Sequence, residues 1–142
     1  MYKRQRLYRL RDEQVEQISE DHSLGAEMVR SGFFSASELR HHNASHVLTR
    51  AVGTKRSTEV DVSLLRAYPG DLFLLCSDGL SGYVESEKQL ASMMELHDED
   101  EECLDYLIQH ALFSGGMDNI TALVVRASEG PITFAGEQKL AS

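Results

Sequence analysis

Asp71-Leu72-Phe73-Leu74-Leu75-Cys76-Ser77-Asp78-Gly79-Leu80 is an apolar run that stops on a carboxylate followed by glycine. Five apolar residues in sequence suit a strand buried in a sheet, and a strand that buries its stem holds the residue at its exit rigidly. Asp78 stands at that exit. Downstream, Gly115-Gly116-Met117-Asp118-Asn119-Ile120 repeats the arrangement in reverse, with Asp118 placed after a diglycine turn and just before an apolar strand over residues 120–126. Two carboxylates at strand ends suggest a site for a hard cation, which prefers oxygen ligands. Read singly, each is more simply a turn, with a solvated carboxylate at Asp78 and with Asp118 capping backbone amides.

The chain has 142 residues, 42% hydrophobic and 26% charged, which fits one globular domain of modest size. A formal net charge of −9 opposes binding to a nucleic-acid backbone or an anionic membrane, and leaves cations and basic peptides as suitable partners. No apolar run approaches the ~20 residues of a membrane helix, and the N-terminus lacks the apolar core of a secretory signal, so the expectation is a cytoplasmic protein. Cys76 lies in the apolar strand and Cys103 in a helical stripe, the usage of buried free thiols.

Working outward, residues 7–11 and 15–19 alternate apolar and polar around Asp12-Glu13, which predicts a hairpin whose turn lacks the favoured glycine. Ser23 is placed to cap a short helix carrying Leu24, Met28 and Val29, with Gly32 at its end. Ser35 and Glu38 have capping-box spacing for another helix through Leu39. Residues 47–52 and 60–66 read as strands, and Tyr68-Pro69-Gly70 as the turn that feeds the central strand. Ser86 and Gln89 open a helix through Leu90, Met93 and Met94. Leu104, Leu107, Ile108, Ala111 and Leu112 recur at helical spacing, and Gly115-Gly116 ends that helix. Beyond Arg126 the pattern fades.

The ordered set Arg6-Leu7-Tyr8-Arg9-Leu10, Glu20-Asp21-His22-Ser23-Leu24, Val47-Leu48-Thr49-Arg50-Ala51-Val52-Gly53, Pro69-Gly70-Asp71, Leu75-Cys76-Ser77-Asp78-Gly79-Leu80 and Asp118-Asn119-Ile120-Thr121 resembles the C-terminal half of bacterial PPM-family, type-2C, protein serine/threonine phosphatases. The resemblance implies an α+β chain forming the C-terminal part of an αββα sandwich, two packed antiparallel sheets flanked by helices. It implies metal ligation by Asp78 and Asp118, with Gly79 and Asn119 as supporting backbone, and two or more Mg2+ or Mn2+ ions in the intact domain. No side chain of this chain is then a nucleophile; the implied reaction is hydrolysis of phosphoserine or phosphothreonine by a metal-activated water. The partners implied are phosphorylated proteins and a cognate serine/threonine kinase, with no nucleic acid and no membrane.

The family's Asp-Gly motif, phosphate-gripping arginine and preceding acidic motif have no counterpart in these residues. The expected organisation is therefore a non-native scar at residues 1–5, which resemble a translated sequencing-adaptor end, the half-domain at 6–127 with a flap-like segment at 30–46, and a flexible tail at 128–142. Alone, such a chain is expected to be inactive. Two rivals stand beside this reading: a noncatalytic module that binds phosphoproteins or regulates a kinase, and a sporulation-type PPM phosphatase acting on anti-sigma regulators. His41, His42 and His46 lack an acid or cysteine partner and are read as an exposed cluster, not a zinc site. The acidic run 98–102 lacks the glycine of a calcium loop and is read as the favoured charge at a helix start. Thr49 and Thr121 are read as strand residues.

Overall fold

The computed structural model describes residues 5–35, 38, 47–53, 56–57 and 59–130. Its centre is β3 (Leu72–Cys76), paired antiparallel on one side with β1 (Arg6–Arg11) and on the other with β4 (Ala122–Arg126); β2 (Gln14–Gln17) completes the order β2-β1-β3-β4. Tyr8 lies opposite Leu74 and Leu75 opposite Leu123, so the apolar run has ladder partners along both edges. The α+β class expected from the sequence is the one observed, with this chain contributing one antiparallel sheet among the described residues.

The hairpin β1–β2 pairs Arg11 with Gln14, leaving Asp12 and Glu13 as a two-residue loop. Both have positive φ, 50° and 61°. That is the conformation matching strand twist in tight hairpins, normally supplied by asparagine or glycine, so the pairing of the strands carries the cost of two side chains in the left-handed region.

Alternation decides which face is sealed. Tyr8, Leu10, Val15, Leu72, Leu74 and Cys76 are buried beneath the helices. There α3 (Glu87–Glu95) packs over β2, α4 (Asp100–Phe113) over β4, and the single turn α2 (Asp78–Ser81) against β3 and α4. Leu80, Leu90, Met93, Met94, Cys103, Leu107 and Ala111 close this core. The buried stripe of α4 is Cys103-Leu107-Ala111, rotated from the expected one: Leu104 and Ile108 are half-buried and Leu112 is exposed. The other face of the sheet is apolar and open, with Leu75, Leu123 and Val125 between 40% and 54% exposed.

The helix starts follow the sequence. Ser23 Oγ accepts from Ala26 N at 3.2 Å at the head of α1 (Leu24–Arg30), and Ser86 Oγ accepts from Gln89 N at 3.1 Å at the head of α3. Ser35 and Glu38 exchange the capping-box bonds, Ser35 N to Glu38 at 2.8 Å and Glu38 N to Ser35 Oγ at 3.3 Å. The helix expected through Leu39, the histidines 41, 42 and 46, and most of the 30–46 segment fall outside the described residues.

Two expected strands are not strands. Within residues 47–52 only Leu48 forms a bridge, to Ser23. Residues 60–66 run without secondary structure, with Val60, Val62 and Leu64 at least 80% exposed. Alternation gives a segment two faces but no neighbour; among the described residues neither segment joins a ladder of the β2-β1-β3-β4 sheet. Likewise β4 begins at Ala122, two residues later than expected, because Ile120 and Thr121 belong to the loop that carries Asp118.

Candidate functional site

β3 ends at Cys76, and Asp78 is the first residue of α2, not the last of the strand. The expected turn is one helical turn, because Leu80, Ser81 and Gly82 bond back to Ser77 and Asp78. On the neighbouring strand, Asp118 and Asn119 sit in the loop just before β4. As β3 and β4 run antiparallel with Cys76 opposite Ala122, the exit of one and the entrance of the other lie at the same end of the sheet.

Gly79 brings the two loops into contact. A Cβ on Gly79 would stand 2.3 Å from the Asn119 carbonyl oxygen and 3.4 Å from that of Asp118, so no side chain larger than hydrogen fits while the loop keeps its place. The peptide after Asp118 rests on the backbone after Asp78. Asp118 is exposed, and its Oδ1 accepts from Asn119 N at 2.8 Å. Asp78 is half-buried.

Other residues position the second loop. Gly115 and Gly116, with φ of 141° and 55°, end α4, Gly116 N reaching Ala111 O at 3.1 Å. The Tyr83 hydroxyl accepts from Met117 N at 2.9 Å, and its ring lies against Gly115. Ser77 Oγ accepts from Thr121 N at 3.0 Å and donates to Asn119 O at 3.1 Å. Sequence reading did not single out Tyr83 or Ser77; their partners are 34 to 44 residues away, and the one local sign was a serine directly before the Asp-Gly pair.

Carboxylate oxygens are chemically suited to a hard cation, and here they stand on the first residue of α2 and in the loop before β4. Among the described residues no group of three or more His, Cys, Asp or Glu side chains gathers to hold a metal ion. Mg2+ is commonly bound through one or two carboxylates, with waters or substrate phosphate completing its shell. The acidic run 98–102 is the entrance of α4, with Asp100 bonded to Arg126 at 2.8 Å.

Elsewhere carboxylates are matched to cations. Arg6 grips Asp21 through Nε and Nη2, and Arg50 bonds Asp61 at 2.8 Å and Glu59 at 3.2 Å. His22 Nε2 lies 2.8 Å from Asp61, giving this histidine a partner far along the chain. The Arg50 hydrogen bond holds the Asp61 carboxyl below its ordinary range. Cys76 and Cys103 are buried free thiols, and burial pushes Cys76 up to about 11. No described helix is long and apolar enough to cross a membrane.

No protein-family model matches the chain. It is 37% identical over 121 residues to the serine/threonine phosphatase stp of Listeria innocua, a match covering 83% of this chain and 46% of the relative. Among solved structures it is similar to the PPM Ser-Thr phosphatase MsPP from Mycobacterium smegmatis in complex with cacodylate, with TM-score 0.77, 34% identity and coverage of 88% of this chain and 53% of that one. It is also similar to the catalytic domain of the serine/threonine protein phosphatase PstP in complex with two manganese ions, with TM-score 0.74, 31% identity and coverage of 90% and 52%. The chain spans about half the length of the relatives it matches.

Proposed function

Because this chain belongs to the PPM phosphatases and spans about half of their length, we propose that it supplies part of the catalytic centre of a protein serine/threonine phosphatase, with Asp78 and Asp118 as metal ligands. The observation that carries this reading is the seating of the Asp118-Asn119 peptide on Gly79, which places two loops bearing carboxylates against each other at one end of the sheet. Mg2+ or Mn2+, when bound, would supply positive charge toward a phosphoryl group and lower the pKa of a water. The chain's own residues hold and orient: Asp78 from the first turn of α2, Asp118 from a loop fixed at both ends, and Gly79 by giving that loop room.

The open apolar face of Leu75, Leu123 and Val125 suits the second layer of the proposed sandwich, and residues 6–127 are the portion assigned to it. The remaining ligands and the phosphate clamp then come from outside these residues. Residues 1–4, most of the 30–46 segment and residues 131–142 lie outside the described residues. The substrates are phosphorylated proteins made by a serine/threonine kinase, in the cytoplasm, where buried thiols such as Cys76 and Cys103 stay reduced. The rival reading, a noncatalytic phosphoprotein-binding module, is favoured by one observation: among the described residues no group of three or more metal-ligating side chains gathers.

A chimera separates the two. Residues 6–127 are joined to the portion of the Listeria innocua phosphatase that this chain does not match, and hydrolysis of a phosphothreonine peptide is followed across a Mn2+ titration. The catalytic reading expects turnover that Asp78→Asn and Asp118→Asn each reduce by a hundredfold or so, the size of effect seen when a group stabilising transition-state charge is removed. A folded, inactive chimera that still binds the phosphopeptide supports the noncatalytic module.

A further inference from the structure

We propose that Ser77 is the positioning residue of this site, its hydroxyl setting the place of Asp118 relative to Asp78. The inference rests on the reading that these two aspartates hold a cation. Ser77 occupies the N-cap of α2, where a serine side chain ordinarily accepts from an amide of the helix's first turn. Its hydroxyl makes no such bond. It turns instead to the opposite loop, accepting from Thr121 N at 3.0 Å and donating to Asn119 O at 3.1 Å, while Ser77 N donates to Thr121 O at 2.9 Å.

One residue thus makes three bonds to 119–121, and its covalent neighbour is Asp78. The Asn119 carbonyl it holds is the same group that rests on Gly79. That carbonyl is pinned from two sides, and Asp118, whose carboxylate bonds the Asn119 amide at 2.8 Å, is the residue just before it. With the hydroxyl removed, the Thr121 amide loses its acceptor and the Asn119 carbonyl loses a donor. The loop then keeps its backbone bond to Ser77, its seat on Gly79 and, on the other side of Asp118, the Met117–Tyr83 bond, so the stretch that carries Asp118 is held less tightly. Partners behind a metal ligand that fix its orientation change metal affinity by about 10- to 100-fold when lost.

The test uses the full chain and Mn2+ alone, with free ion measured by electron paramagnetic resonance and folding by thermal denaturation. The wild type is expected to bind Mn2+, and Asp78→Asn and Asp118→Asn to abolish that binding. Ser77→Ala is expected to weaken it about tenfold. Ser77→Thr is expected to restore it to within about twofold, because the hydroxyl is kept and the extended backbone at residue 77, φ −77° and ψ 167°, suits a β-branched side chain. Should the alanine variant not fold, Ser77→Cys keeps the volume with a weaker hydrogen-bonding atom and is expected to fall between wild type and the aspartate variants. Binding unchanged in Ser77→Ala, with both aspartate variants impaired, overturns the positioning role and leaves the metal reading standing. Equal weakening by alanine and threonine assigns Ser77 to packing alone and overturns the role as well. A wild type indistinguishable from the aspartate variants overturns the metal reading and this proposal with it.

Discussion

β3 is entered at Asp71 and left at Asp78, and the two ends of this one strand handle negative charge in opposite ways. Asp71 is 1% exposed. Arg11 donates to it from Nε at 2.6 Å and Nη2 at 2.5 Å, Tyr68 N donates at 2.8 Å, and the guanidinium lies 4.6 Å above the Tyr68 ring. The Arg11 hydrogen bonds, assisted by the Tyr68 amide and opposed by burial, bring its pKa down to about 2. At the far end, position comes from backbone and hydroxyl contacts around Gly79, Ser77 and Asn119, and Asp118 keeps its carboxylate exposed. A carboxylate taken up by a forked guanidinium has become part of the scaffold. One placed through its neighbours, as Asp118 is, stays at the surface, with its Oδ1 bonded to the next amide.

The largest expected effect is at the scaffold end. Arg11→Met leaves a buried carboxylate without its cation, and thermal denaturation at neutral pH should show a marked fall in stability. Pairing it with Asp71→Leu should recover much of the loss, since the double variant buries no charge; no recovery would mean that the ion pair is not what secures this end. Next is Gly79→Ala, whose Cβ meets the Asn119 oxygen at 2.3 Å. Overpacking of this kind costs about 1–3 kcal/mol, and the displaced Asp118 loop should bind Mn2+ less well than in Arg11→Met, which measures the independence of the two ends.

A smaller effect is expected from pH. The folded Asp71 carboxyl titrates at about 2, below the ~3.9 of an unfolded aspartate, so the unfolded chain binds protons first as the pH falls. The stability from this pair is complete above about pH 4 and lost on the way down to about 2. Urea midpoints over that interval should fall less steeply for Asp71→Asn than for wild type. The smallest effect concerns the core between the ends. With burial raising the thiols of both Cys76 and Cys103, a disulfide reagent at pH 8 should find neither in the folded chain and both in urea.

Elements whose evidence is local were legible beforehand. The 72–76 run, the α4 periodicity and the serine caps at 23 and 86 each state their structure within a few residues. So does the 12–13 turn, although nothing in Asp-Glu announces the two positive φ values that the hairpin imposes. What depends on a distant partner was not legible. Residues 60–66 alternate like a strand and lie unpaired with any described strand, because a pattern specifies faces and not neighbours. The Arg11–Asp71 pair joins residues 60 apart, and the Ser77 contacts join residues 42 and 44 apart. Asp78 and Asp118 could be picked out as strand-end carboxylates, while the reason they sit together lies in a glycine and a serine that carry no charge.

The β2-β1-β3-β4 order has a kinetic consequence. Only β1 and β2 are joined by a tight turn; the central β1–β3 pairing must close a loop of some sixty residues before its first ladder bond forms. The hairpin can therefore form early and wait, and sheet completion sets the pace, as expected for a topology rich in distant contacts. The same loop makes the finished molecule tolerant of being cut. A protease that nicks the exposed 60–66 stretch severs the connection between β1 and β3 without breaking a ladder bond, and the two pieces should remain joined until the sheet itself is melted.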